Sequence, residues 1–224
     1  MTSLLLYSGG LDSYIAWEFL NRPKTLYCKI NHRYQSFELE AIKNTIPDTI
    51  IDDSLNLGKW EKPDANIPMR NALMLMIASN YADNLVLVVQ KAEMSIPDRS
   101  PEFFETIGGF ISFLNERKIQ VTTPFAKMTK TEMIKWYLVH GFDKENLLKT
   151  RSCYFEGPVP CGACGACFRR WVSFKCNGIE ETMENNILEW EGTLKYINKM
   201  KKGLYDQTRT DETFKALELA GVSI

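Results

Sequence analysis

Six residues near the amino terminus constrain this fold more than any others. Ser8-Gly9-Gly10-Leu11-Asp12-Ser13 stands between the apolar run Leu4–Tyr7 and a stretch of helix-forming residues. Adjacent glycines are unfavourable inside a helix or a strand, so the chain needs bare backbone there. A strand, a glycine turn and a helix start together make an anion site. The free N–H groups of the first helical turn converge, and the helix dipole adds partial positive charge. Gly9 and Gly10 let a phosphate approach closely, Ser8 and Ser13 offer hydroxyl donors, and Asp12 can orient the loop or meet a cation. The loop matches neither GxxxxGK[ST] nor GxGxxG. A plain strand-to-helix turn with a serine cap is the alternative, although such a turn seldom needs two glycines and two flanking hydroxyls.

The rest of the chain alternates. Leu4–Tyr7, Thr25–Ile30, Thr49–Asp52, Leu85–Val89 and Ile119–Thr122 read as short strands. Helical stretches lie near Ser13–Leu20, Phe37–Thr45, Asn71–Ala82 and Glu102–Arg117. This pattern predicts an α/β fold with a parallel sheet of about five strands covered by helices on both faces. Ligands of such sheets bind beyond the carboxyl ends of the strands, which is where Ser8–Ser13 falls. After Thr122 the pattern changes. Thr129-Lys130-Thr131-Glu132 has capping-box spacing and opens a helix to about His140. From Lys149 to Cys176 the chain is rich in cysteine, glycine and proline, and then turns helical through Lys202. The expected division is an α/β domain over 1–148 and a cysteine-rich, helical portion over 149–224.

Composition narrows the function. With 27 basic and 28 acidic residues the formal charge is −1, against the basic excess of proteins that mainly wrap nucleic acid. At 45% hydrophobic and 12% aromatic, the 224-residue chain can bury a substantial core. The start has no basic region typical of a signal peptide, and no apolar run approaches the ~18 residues that span a bilayer. The expectation is a cytoplasmic, reduced protein without a membrane partner, so its six cysteines point to metal or chemistry before disulfides. Cys153, Cys161, Cys164 and Cys167 give Cx7CxxCxxC, a set that suits tetrahedral Zn²⁺ in a closed structural site. An iron–sulfur cluster and reduced structural thiols are the alternatives; the ferredoxin run would continue with a fourth close cysteine and a proline, which Phe168-Arg169-Arg170-Trp171 does not supply. Cys28 and Cys176 read as small buried hydrophobes, and His32 and His140 receive no catalytic role.

SGGLDS after a first strand resembles the pyrophosphate loop of the N-type ATP pyrophosphatases, a group with a Rossmann-like fold of the adenine nucleotide alpha hydrolase type. The resemblance implies cleavage of ATP between its α and β phosphates, with Mg²⁺ accompanying the nucleotide. Within that group, several segments resemble the 7-cyano-7-deazaguanine synthases. Ser152-Cys153-Tyr154 and Cys161–Arg170 are similar to their cysteine stretch, Ile67-Pro68-Met69-Arg70-Asn71 to PGRN, Pro97-Asp98-Arg99 to PDC, and Thr123-Pro124-Phe125 with Lys130-Thr131-Glu132 to TPL…KxE. The similarity runs in order from about Leu4 to Phe174. It departs from the family at Met69, at Asn31–Gln35 in place of YGQRH, and at a shorter Gln90–Ile96, as in a divergent member.

The resemblance implies adenylation of the carboxylate of a 7-carboxy-7-deazaguanine, ammonia as nitrogen source, and an amide on the way to a nitrile. It implies Asp12, Arg70 and Lys130 as catalytic groups, the last two as cations for the ATP phosphates. Asp98, Glu93 and Arg99 are the implied substrate residues, with Asp98 or Glu93 accepting from the N–H edge of the base. A solvated charge is the alternative for each cation, and a plain loop carboxylate for each acid. No direct nucleic-acid contact is expected, and a homodimer stays open. Two rivals remain: a pyrophosphatase that thiolates RNA, and a zinc-ribbon-like binding module beside an inactive α/β domain.

Overall fold

Ser3–Leu6 (β1), Lys24–Cys28 (β2), Ile50–Asp52 (β3), Asn84–Val86 (β4) and Gln120–Thr122 (β5) pair into one five-stranded sheet in the computed structural model. Residues 3–63, 65–155 and 157–222 are described. Every pairing is parallel and the strand order is β3-β2-β1-β4-β5. β1 is central: Leu5 stands opposite Thr25 on one side and Val86 on the other. Between strands run the helices Leu11–Phe19 (α1), Gln35–Thr45 (α2), Arg70–Ala78 (α3) and Pro101–Leu114 (α4). The order of strands and helices is the one the alternation predicts, on the expected α/β plan, although the helix expected over Asn71–Ala82 ends at Ala78 and the strand expected over Leu85–Val89 is Asn84–Val86.

Side-chain alternation along the strands sends successive residues to opposite faces. Leu4, Leu6, Leu26, Leu85 and Leu87 share a cluster with Leu75 and Ala78 of α3 and Phe104, Ile107 and Ile111 of α4. Each Leu, Ile or Phe among them contributes roughly 1.5–3 kcal/mol on full burial. On the other face Tyr7 is buried and its hydroxyl meets Thr45 Oγ1 of α2 at 2.6 Å. Parallel strands force this two-sided cover, because each crossover lays a helix on the sheet.

Local chemistry sets the helix ends. Ser100 Oγ accepts from Phe103 N at 3.2 Å and Pro101 fills the first helical position, so α4 starts there. It ends at Leu114, sooner than the expected Arg117, because Glu116 is left-handed at φ 52°. Met69, 65% exposed, precedes α3 in the left-handed region (φ 60°, ψ 8°), with no side-chain cap of its own.

The chain divides into two units, Met1–Lys127 and Met128–Ile224. This boundary lies before the 148/149 position expected from composition, because the helix that opens at Lys130 packs with the later helices. That helix, Lys130–Val139 (α5), carries the full capping box: Glu132 N donates to Thr129 Oγ1 at 3.2 Å and Thr129 N donates to Glu132 Oε2 at 2.8 Å. It is followed by Glu145–Leu148 (α6), Gly165–Lys175 (α7), Glu191–Lys201 (α8) and Gln207–Leu219 (α9). α7 packs against α5 and α9, and it starts inside the cysteine stretch. On α7, Arg170 is 1% exposed. Its guanidinium donates to both carboxylate oxygens of Glu181 (2.7–2.9 Å), to Thr150 Oγ1 (2.8 Å) and to Leu147 O (2.8 Å). No helix of the described residues is long and apolar enough to cross a membrane.

A methionine held at φ 60° is strained by about 1–2 kcal/mol, part of which glycine would relieve. Met69→Gly is therefore expected to stabilise the protein by about 0.5–1 kcal/mol in urea unfolding. A loss of stability would show that the thioether packs more usefully than its backbone is strained.

Candidate functional site

The loop after β1 is built as its residue types require. Gly9 is left-handed at φ 69°, and a Cβ there would lie 2.8 Å from Ala41 Cβ, 2.9 Å from Glu38 O and 3.0 Å from Ile42 N. Two independent constraints, conformation and the backbone of α2, thus exclude any side chain. Gly10 is the N-cap of α1, in extended conformation, so the helix begins with Leu11 and Asp12 directly after the turn. Ser13 Oγ donates to Gly10 O at 3.0 Å and lies 3.5 Å from both Ser8 N and Ser8 Oγ. The two serines therefore close the loop across its mouth. First-turn N–H groups of a helix end carry partial positive charge, so this loop can receive an anion.

Strand order locates the partner loop. β1 and β4 are neighbours at the point where the order of connection reverses, and ligands of open parallel sheets occupy that crevice at the carboxyl ends. The loop after β4 carries Glu93, Asp98 and Arg99, and the structure brings these three together. Arg99 Nη1 donates to Glu93 Oε1 at 2.5 Å, while Arg99 Nε stands 3.9 Å from Asp98 Oδ1. Asn71, one residue beyond Arg70 in the first turn of α3, is buried and donates to Asp98 Oδ2 at 2.9 Å. Arg70 is half-buried at the first position of α3. Lys130 stands at the first position of α5, in the second unit.

A further polar group lies after β2, where sequence reading assigned no function. His32 is buried, and its Nε2 lies 3.0 Å from Glu38 Oε2, which also accepts from the Tyr27 hydroxyl at 2.8 Å. Glu38 is the same residue whose carbonyl walls Gly9. Burial pushes the Tyr27 hydroxyl far up, and the Glu38 carboxylate adds to this, so the phenol stays protonated and donates. The Gln35 side chain accepts from Ile30 N (3.0 Å) and Asn31 N (2.8 Å), which ties the turn before α2. Only the histidine near a strand end hinted at this group. At the end of β3, burial would raise the Asp52 carboxyl, but hydrogen bonds from Tyr81 (2.6 Å) and Ser54 N (2.9 Å) outweigh it and hold the group below its usual range. Burial pushes the Cys28 thiol up to about 12, with Asp52 adding to it, as expected of a packed rather than a reactive thiol.

In the second unit the sulfurs of Cys153, Cys161, Cys164 and Cys167 all lie within 4.8 Å of one another, and all four residues are buried. Cys161 Sγ and Cys167 Sγ are 3.8 Å apart. Four thiolates at about 2.3 Å from a tetrahedral Zn²⁺ would stand about 3.8 Å from each other, so the cage fits that ion. A four-iron cluster needs a wider cage, since its thiolates sit on the corners of an iron–sulfide cube. The N–H groups of Phe155 and Cys161 point at Cys153 Sγ, and those of Ala163 and Cys167 at Cys161 and Cys164 (3.3–3.4 Å). Such donors stabilise thiolate charge. Neighbouring Cys164 and Cys167 hold the Cys153 thiol well below its usual range, while burial pushes Cys161 up to about 12. Gly162 (φ 66°) turns the loop between two ligands; a Cβ there would come 2.0 Å from Asn185 O.

A family model for the queuosine biosynthesis protein QueC matches residues 20–178. The 7-cyano-7-deazaguanine synthase of Methanosarcina mazei is 33% identical over 155 residues, covering 66% of this chain and 62% of that protein. That of Methanospirillum hungatei is 34% identical over 127 residues, covering 53% of this chain and 56% of its own length. These two alignments thus span about three fifths of the relatives' length. The synthase of Archaeoglobus fulgidus is 30% identical over 236 aligned positions, covering 90% of this chain and 97% of that protein.

Two substitutions test the two centres. Gly9→Ala should destabilise the protein by about 2–3 kcal/mol in urea unfolding, from left-handed strain and collision with α2; an unchanged midpoint would mean that α2 retreats freely. Cys164→Ser should lower bound metal, measured by atomic emission, together with the yield of folded protein, because a structural site contributes folding free energy. Unchanged metal and yield would remove the metal centre.

Proposed function

The chain belongs to the queuosine biosynthesis protein QueC family, and from this premise we propose that it is an ATP-dependent ligase converting a 7-carboxy-7-deazaguanine to the 7-cyano base with ammonia. The observation that carries the reading is the SGGLDS loop at the carboxyl end of β1, across the switch point from the loop of Asp98 and Arg99. The first needs a polyanion and the second can read a polar base, and an adenylating enzyme must hold both.

The reaction follows from that pairing. The substrate carboxylate attacks the α phosphorus of ATP and pyrophosphate departs. Charge grows on the departing phosphates, and the backbone N–H groups after Gly10 stabilise it without having to reorganise, while the Ser8 hydroxyl, and the Ser13 hydroxyl once turned from Gly10 O, add donors. Ammonia then displaces AMP to give the amide. A second ATP then adenylates the amide oxygen with release of pyrophosphate and one nitrogen proton, and departure of AMP with the second nitrogen proton leaves the nitrile. Arg70 and Lys130 are proposed as cations for the phosphates, as the resemblance implies. Asp12, in the first turn of α1, is proposed to orient the loop and to meet the magnesium that accompanies the nucleotide, whose charge offsets that of the phosphates. Between the two carboxylates that sequence reading left open, Asp98 is the better base reader. Glu93 is taken up by Arg99 at 2.5 Å, whereas Asp98 Oδ1 has Arg99 Nε only at 3.9 Å. The four cysteines would hold zinc as a structural ion, away from any chemical step.

The direct test incubates the protein with ATP, ammonium and 7-carboxy-7-deazaguanine and follows products by mass. Amide and then nitrile are expected, with AMP and pyrophosphate. Asp12→Asn should lower pyrophosphate release at least 100-fold, on the order of the effect of removing one transition-state contact, with metal content unchanged. Full turnover in that variant would refute the loop's role, and pyrophosphate release only with a different acceptor would redirect the substrate.

A further inference from the structure

Asp98 sits in an irregular turn, Pro97–Arg99, and such a turn does not fix the rotamer of an exposed carboxylate by itself. Something else must hold it if it is to discriminate between bases. Asn71 is 3% exposed, and its side-chain amide donates twice to the same residue: to Asp98 Oδ2 at 2.9 Å and to Asp98 O at 3.2 Å. Both hydrogens of one amide are thereby spent on one aspartate, one on its side chain and one on its backbone. The arrangement fixes the carboxylate relative to the turn. It leaves Oδ1 outside hydrogen-bond distance of its nearest cation, Arg99 Nε, at 3.9 Å. The side chain of Asp98 remains 35% exposed.

We infer that Asn71 is a positioning residue that sets the specificity of the site for a base whose N–H edge presents an exocyclic amine to Asp98 Oδ1. This inference rests on the function proposed above. Asn71 is also the immediate neighbour of Arg70 on the first turn of α3. The carboxylate that reads the base and the cation assigned to the phosphates are therefore referred to one rigid helix end. An aspartate in place of Asn71 could not donate, and it would face Asp98 with a like charge.

The test compares 7-carboxy-7-deazaguanine with its analogue lacking the exocyclic amine, in wild type, Asn71→Ala and Asn71→Asp. Wild type should prefer the parent base. Asn71→Ala should raise KM for that base about tenfold, the loss expected for a charge-assisted hydrogen bond. Its KM for ATP should stay within about twofold and its preference between the two bases should collapse toward unity. Asn71→Asp should be worse than alanine on the same readouts. If alanine does not fold, Asn71→Ser keeps one donor and should give an intermediate preference. Equal rises in both KM values, or an undiminished preference, would reduce Asn71 to a packing residue. Equal turnover of both bases by wild type would instead sink the reading of Asp98, leaving the two failures distinguishable.

Discussion

Parallel pairing of β1 with β2 on one side and β4 on the other is the constraint from which the rest follows. It makes β1 the most enclosed strand and fixes where the direction of winding reverses. The glycine loop has value only at the end of that strand. On an edge strand the same six residues would face solvent, with no second loop across from them. Burial of both sheet faces adds rigidity to that of the loop, whose two glycines carry no side chain and whose anchoring falls to Ser8 and Ser13.

The loop is held from its flank as well. α2 closes on Gly9 so tightly that its backbone and Ala41 Cβ would overlap any added methyl, and α2 is in turn fixed by Glu38 through Tyr27 and His32. A polar group assigned no chemistry thus bears on the shape of the glycine loop through one helix. The Asn71–Asp98 link does the corresponding work across the crevice. In both cases a helix of regular geometry lends its precision to an irregular segment, which is how α/β sites keep reactive loops in place.

Much of this was legible in advance. The strands and the first four intervening helices announced themselves by apolar runs and turn residues, and the cysteine spacing by the few geometries four thiolates accept. The capping box of Thr129 and Glu132 formed as written. Helix ends were harder, because the left-handed stop at Glu116 has no signature in glutamate. The unit boundary before α5 was missed for a related reason: composition shifts at the cysteine stretch, whereas packing shifts one helix earlier. Long-range pairs were illegible. Nothing in Glu181 names Arg170 as its partner, and Asn71 reads as an ordinary helix-start residue until Asp98 is seen against it. Met69 shows the converse, since a methionine gives no warning of the left-handed backbone it occupies.

Arg170 has a consequence beyond its own burial. Its acceptors come from the end of α6, from the segment leading to the first cysteine and from Glu181 after α7, so one cation gathers three stretches of chain that share no regular hydrogen-bond ladder. Loss of Glu181 would strand a buried charge, a penalty far larger than any single neutral contact, and loss of the other two would leave guanidinium N–H groups unpaired. Partial opening is thereby discouraged around the cysteine cage, and the second unit gains an all-or-none character that a collection of short helices would not otherwise have.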